Sequence, residues 1–142
     1  MDKQIKVDLV MAQGITFLAK GNSNHWVAMD GPEEFGGSSA GSKPMEMFMM
    51  GLAGCTGMDV VTILNKKRVN LIDFKMELLA DRKEEYPQVL TKITIVYKIY
   101  GKNIKEADVK RAIELSTDKY CGAINTLKHT VEIIQNYEIF EV

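Results

Sequence analysis

The sequence predicts an α+β fold with the element order βββ-α-ββ-αα-β. Three observations carry the prediction. Residues alternate apolar and polar, at strand spacing, both before and after the middle of the chain. Between these stretches lies the longest apolar run, residues 42–64, which repeats at helical spacing. The strands come in consecutive groups rather than each alternating with a helix, which excludes a doubly wound sheet.

In order, Ile5, Val7, Leu9 and Met11 alternate with polar residues as a half-buried strand would. Ala12-Gln13-Gly14 turns the chain, and Ile15, Phe17 and Ala19 make a second strand. Lys20-Gly21-Asn22-Ser23-Asn24 is rich in turn residues, and a third strand follows from Trp26 to Met29. The segment from Asp30 to Ser42 holds four glycines and Pro32 and reads as a long loop, a type often functional in compact domains.

Ser42 or Lys43 caps the central helix, Pro44 lies in its first turn, and Glu46 faces its positive end. The helix runs to about Lys67. Phe48, Leu52, Cys55, Asp59 and Thr62 share one face, and the apolar surface runs nearly all round, as in a helix buried on every side. Gly51, Gly54 and Gly57 each cost about 1 kcal/mol of helix propensity relative to Ala. Close approach of a neighbouring backbone is the expected offset.

Residues 72–80 and 89–99 alternate over two long strands, joined by a charged loop at 81–87, and should pair antiparallel. Asn103 with Glu106 matches a capping box opening a second helix, whose inner face is Val109, Ala112, Ile113 and Ser116. Residues 117–120 interrupt it. Cys121 begins a short helix through Leu127, and Val131 to Phe140 is a closing strand.

The 142 residues, 46% of them apolar, make one domain over 1–142 with an ample core. A net charge of −1 gives no footing for nucleic acid or an acidic membrane. No run reaches the ~18 uninterrupted apolar residues of a membrane span, and the N-terminal residues do not read as a secretory signal. The expected location is the cytoplasm, where two cysteines are free, buried or redox-active rather than a structural bridge.

Cys55 is either a small core hydrophobe or a nucleophile needing an electropositive neighbour. Cys121, at a helix start, has unpaired N–H groups that favour thiolate. If the two thiols meet, they could act as a peroxidatic and resolving pair; the 66 positions between them do not decide it. Cys55, Cys121, His25 and His129 lack the spacing of zinc ligands, so no metal is expected. The loop at 31–41 has no dinucleotide or P-loop pattern, so no cofactor is expected either. Methionines at 45, 47, 49, 50 and 58 suit a core, or an apolar pocket for an alkyl chain.

Pro44-Met45-Glu46 followed by Gly51-Leu52-Ala53-Gly54-Cys55-Thr56-Gly57-Met58-Asp59-Val60 resembles the central helix of the OsmC/Ohr family, the osmotically inducible protein C and organic hydroperoxide resistance proteins. Tyr120-Cys121-Gly122-Ala123-Ile124-Asn125-Thr126-Leu127 is similar to the family's second motif, with Gly122 and Ile124 replacing its frequent Pro and Ser. The resemblance covers essentially the whole chain. It implies antiparallel sheets wrapped around a buried central helix, and an intertwined homodimer with active sites at the subunit interface. It also implies thiol peroxidase activity on organic hydroperoxides, with recycling by an external, lipoyl-type dithiol. Cys55 would be peroxidatic and Cys121 resolving.

Two departures mark a divergent OsmC-like branch. The family places an arginine from the N-terminal sheet near the thiol, but none precedes Arg68 here. Its acid ten positions before the first cysteine falls on Met45, with Glu46 one later. Nine residues of ideal helix turn about 900° and rise about 13 Å, which sets Glu46 opposite Cys55. Glu46 is therefore a candidate supporting acid or simply a helix-start residue, and His25 and Lys43 are candidates for the missing cation. The expected function is a cysteine peroxidase closing a Cys55–Cys121 disulfide. The alternatives are an OsmC-fold protein that binds a small apolar ligand and, third, thiol hydrolase or transferase chemistry.

Overall fold

A computed structural model describes residues 3–142. The chain forms two compact units whose boundary, between Met50 and Gly51, lies inside the central helix.

The N-terminal unit is an antiparallel meander of β1 (Asp8–Gln13), β2 (Thr16–Lys20) and β3 (Val27–Met29). Gly14 makes the first turn at a φ of 57°, and a Cβ there would stand 3.2 Å from the Gly36 carbonyl oxygen. The expected half-buried strand from Ile5 is corrected. β1 starts at Asp8 as an edge strand paired only to β2, and all six of its residues are exposed in the single chain. The long loop is organised by buried Asp30, whose carboxylate accepts the N–H groups of Gly31 (2.7 Å), Ser38 (3.1 Å) and Ala40 (3.0 Å) and the Thr16 hydroxyl (2.8 Å). The Ala40 N–H leads these bonds in holding the carboxyl below its ordinary value.

The helix α1 (Pro44–Lys66) begins as expected, with the Lys43 carbonyl accepting the Met47 N–H. It ends in a Schellman motif. Arg68 is left-handed at a φ of 60°, its N–H bonds Asn65, and the Val69 N–H reaches back to Leu64. By length and composition alone α1 could cross a bilayer, but its buried residues belong to a protein core.

In the C-terminal unit, β4 (Asn70–Arg82) pairs antiparallel with β5 (Leu90–Lys102), and β6 (Glu132–Glu141) pairs parallel with β5, giving the order β4-β5-β6. The second sheet is thus mixed rather than purely antiparallel. The cause is the connection: α2 (Glu106–Leu115), a π-helical turn (Ser116–Tyr120) and α3 (Gly122–Leu127) form the long crossover that a parallel pair requires. Ile93, Ile95, Tyr97 and Ile99 are all buried on one face of β5.

Two local expectations change. The inner face of α1 is Leu52, Thr56, Val60 and Leu64, not the stripe through Phe48 and Thr62, which are exposed. Cys55 falls beside that stripe and is half-buried. Nor is the helix buried all round: Met58 is 75% exposed in the single chain. The capping box at Asn103 does not form either. Asn103 ends β5 in the left-handed region (φ 52°), where Asn is tolerated, and gives its N–H to the Glu141 carboxylate. Lys105 occupies the cap position without a side-chain bond.

Candidate active site

Cys55 and Cys121 meet. The Cys55 thiol is close enough to raise the pKa of the Cys121 thiol, and both are free. Cys55 comes from the middle of α1, and Cys121 is the N-cap of α3, where its sulfur accepts the Ile124 N–H at 3.4 Å. The π turn places it there. The Cys121 N–H bonds the Ser116 carbonyl five residues back at 2.8 Å, which inserts the extra residue that re-aims the chain. Asn125 then ties the turn down, donating to the carbonyls of Thr117 (2.9 Å) and Cys121 (2.8 Å).

The expectation of an acidic thiol at Cys121 is corrected. Burial pushes its pKa up to about 11, and the neighbouring Cys55 pushes the same way. The Ile124 N–H pulls it down but loses. The N–H groups of Ala123 and Ile124 at the start of a short helix do not offset burial.

Beside the thiols runs a buried polar chain that sequence reasoning missed. The Thr56 hydroxyl lies 2.8 Å from the Tyr97 hydroxyl and 2.9 Å from that of Ser116. Ser116 donates to the Asp59 carboxylate at 3.1 Å, and Tyr97 donates to the Gln135 side-chain oxygen at 2.6 Å. Gln135 in turn donates to Thr117 at 2.6 Å. Burial raises the Tyr97 phenol to about 12, a bond from Thr56 opposes this, and the charges of Cys121 and Asp59 add to it. The available signal was two polar residues, Thr56 and Asp59, inside the longest apolar run. Their partners, 41 and 57 positions away, carried none.

Glu46, in the first turn of α1, and Lys43, just before it, are exposed residues of the N-terminal unit, as is His25 between β2 and β3. Among the described residues no group of three or more His, Cys, Asp or Glu is gathered as a metal site.

On α1, a Cβ at Gly57 would meet the Met76 sulfur at 2.8 Å, so what approaches closely there is a side chain and not the expected backbone. At Gly51 and Gly54 a Cβ would meet nothing within 4 Å. An apolar groove of about 520 Å³ lies along this side, lined by Gly54, Gly57, Met58, Val61, Phe74 and Met76.

Residues 36–136 match the family model of the OsmC-like protein. Protein YhfA of Escherichia coli (strain K12) is 39% identical over 127 residues, 89% of this chain and 92% of that one. Among solved structures, an OsmC-like protein from Mycoplasma pneumoniae superposes with a TM-score of 0.82 at 20% identity, covering 99% of each chain. An organic hydroperoxide resistance protein from Legionella pneumophila gives 0.67 at 12% identity, over 95% of this chain and 96% of that one. The two latter likenesses show the shared fold; the family-model match and the identity to YhfA establish that this chain belongs to the OsmC-like protein family.

Proposed function

We propose that the protein is a cysteine-based thiol peroxidase that reduces organic hydroperoxides in oxidative stress defence. One observation carries the reading: two free thiols from distant parts of the chain are neighbours beside a buried hydroxyl chain. Their unequal burial supports the division of roles. Half-buried Cys55 is the peroxidatic nucleophile, and fully buried Cys121 resolves. The Cys55 thiolate attacks the terminal oxygen of ROOH, the O–O bond breaks, and ROH leaves once the alkoxide takes a proton. The sulfenic acid then condenses with the Cys121 thiol, releasing water and forming the disulfide. An external dithiol, of lipoyl type, restores both thiols. Glu46, His25 and Lys43 are retained as candidate supporting groups at the N-terminal end of the chain.

The working unit is a cytoplasmic homodimer. The Gly51 and Gly54 side of α1, open within one chain and bordered by an apolar groove, suits the helix of a second copy. If the chain proves monomeric in solution, that groove instead favours the binding of a small apolar ligand.

Intact-mass spectrometry after one equivalent of cumene hydroperoxide tests the activity. A Cys55–Cys121 disulfide formed within seconds supports the reading, and unmodified thiols after an hour sink it.

A further inference from the structure

The polar chain beside the thiols is one hydrogen short. It has four oxygen–oxygen contacts: Asp59 with Ser116, Ser116 with Thr56, Thr56 with Tyr97, and Tyr97 with Gln135. Ser116, Thr56 and Tyr97 supply one hydrogen each, and the Gln135 oxygen supplies none. Ser116 spends its hydrogen on Asp59 and Tyr97 spends its own on Gln135, so Thr56 has one hydrogen for two oxygens. A proton arriving on Asp59 closes the count: each hydroxyl swings one place, and every contact is filled. The chain therefore has a built place for one proton, and its receiving end is the carboxylate.

That end is also well placed. Asp59 follows Cys55 by one helical turn, where side chains are neighbours, about 5–6 Å between Cβ atoms. Across from it, Ser116 and Cys121 bracket the π turn as Asp59 and Cys55 bracket a turn of α1. The structure is a ladder of two rungs, thiol with thiol and carboxylate with hydroxyl. Asp59 further lines a small surface cleft of about 150 Å³ with Met58, Thr62, Ile63, Lys66 and Tyr120, which gives it access to water.

We propose that Asp59 is the proton exchanger of the dithiol, taking the proton that Cys55 gives up and returning it to the alkoxide released from the hydroperoxide. This inference rests on the peroxidase reading above. In the first step the Cys55 S–H bond breaks and its proton passes to the Asp59 carboxylate, leaving a thiolate. In the second, sulfur bonds the terminal peroxide oxygen, the O–O electron pair goes to the RO oxygen, and that oxygen takes the proton from Asp59. The sum is thiol plus ROOH giving sulfenic acid plus ROH, with Asp59 unchanged.

The test uses two oxidants that differ in whether the leaving group needs a proton. Cumene hydroperoxide releases a basic alkoxide; peracetic acid releases acetate, which needs none. Asp59→Asn keeps the shape and, through its own N–H, fills the fourth contact, so it should fold with an unchanged or raised melting temperature. Its rate of disulfide formation with cumene hydroperoxide should fall by about 10²–10⁴-fold, the range for general acid–base catalysis, while its rate with peracetic acid, which calls on Asp59 only to take the Cys55 proton, should fall at least about tenfold less. Asp59→Glu should recover part of the cumene hydroperoxide rate. Equal losses with both oxidants would show that Asp59 returns no proton to the alkoxide and overturn the proposal, as would no loss with either. Should the Asn variant not fold, Ser116→Ala, which removes the partner of Asp59, must show the same asymmetry between oxidants. A wild-type protein inert to both oxidants would overturn the peroxidase reading and this one with it. An active wild type with an equally active Asn variant would overturn this one alone.

Discussion

Replacing Gly51 and Gly54 together by Ala separates a solitary chain from a packed pair. Within one chain, neither added Cβ meets an atom within 4 Å. The only intrachain consequence is helix propensity, a gain of about 1 kcal/mol at each site. A monomeric protein should therefore become about 2 kcal/mol more stable. If a second α1 crosses at these glycines, each methyl group is forced into a filled seam instead, at about 1–3 kcal/mol. A two-fold interface repeats every contact, so the double variant loses about 2–6 kcal/mol of association even if only one site in each copy is tight. That weakens the dimer about 30-fold to about 10⁴-fold. Sedimentation equilibrium over a concentration series reads the association, and circular dichroism melts read the helix. We expect the variant to be a folded, largely dissociated chain. A variant that stays dimeric with a raised melting temperature would refute packing of α1 on a second copy.

Alkaline pH should destabilise the protein through Cys121. Its thiol is raised from 9.0 to about 11, so between those values the unfolded chain has lost a proton that the folded chain keeps, and stability falls as pH rises across that window. Urea midpoints of wild type against Cys121→Ser should diverge across that window. Tyr97, raised from 10.0 to about 12, extends the decline with the same sign in the next window. In acid the vulnerable group is Asp30, whose lowered carboxyl contributes stability above its ordinary value and loses it as pH falls; Asp30→Asn should give faster amide exchange across residues 31–41 at neutral pH. Ile95→Ala, at a fully buried site on β5, should cost about 2–5 kcal/mol in denaturant melts. A loss under about 1 kcal/mol would mean that β5 is not the centre of the core.

Much of this was legible in the chain. The alternation through Ile93, Ile95, Tyr97 and Ile99 is a local property, and the structure buries those side chains as read. Cys121 at the head of a short helix was equally readable, and it is the N-cap of Gly122–Leu127; residues 117–120, read as an interruption, instead belong to a π-helical turn. The failures came where the deciding partner is distant. Asn103 looks like a cap until the Glu141 carboxylate, 38 positions on, takes its N–H. The acidity of Cys121 was misread because burial is a tertiary quantity, whereas the helix start is a local one. The relay escaped for the same reason. Thr, Ser and Tyr score as ordinary residues until the fold brings their hydroxyls to 2.8 and 2.9 Å.

The two borders of β5 differ in what the chain must do to make them. The β4 border closes through a short hairpin, with Arg82 already opposite Leu90. The β6 border aligns Lys92 with Glu132, which requires the whole α2–α3 crossover to be drawn in first. Chain-closure entropy rises with loop length, so folding should begin at the hairpin and end at the parallel ladder. The dithiol then belongs to the late event, because Cys121 rides on the crossover while Cys55 sits on α1. Until that last step the two sulfurs have no reason to be neighbours, so the redox pair is a product of completed folding.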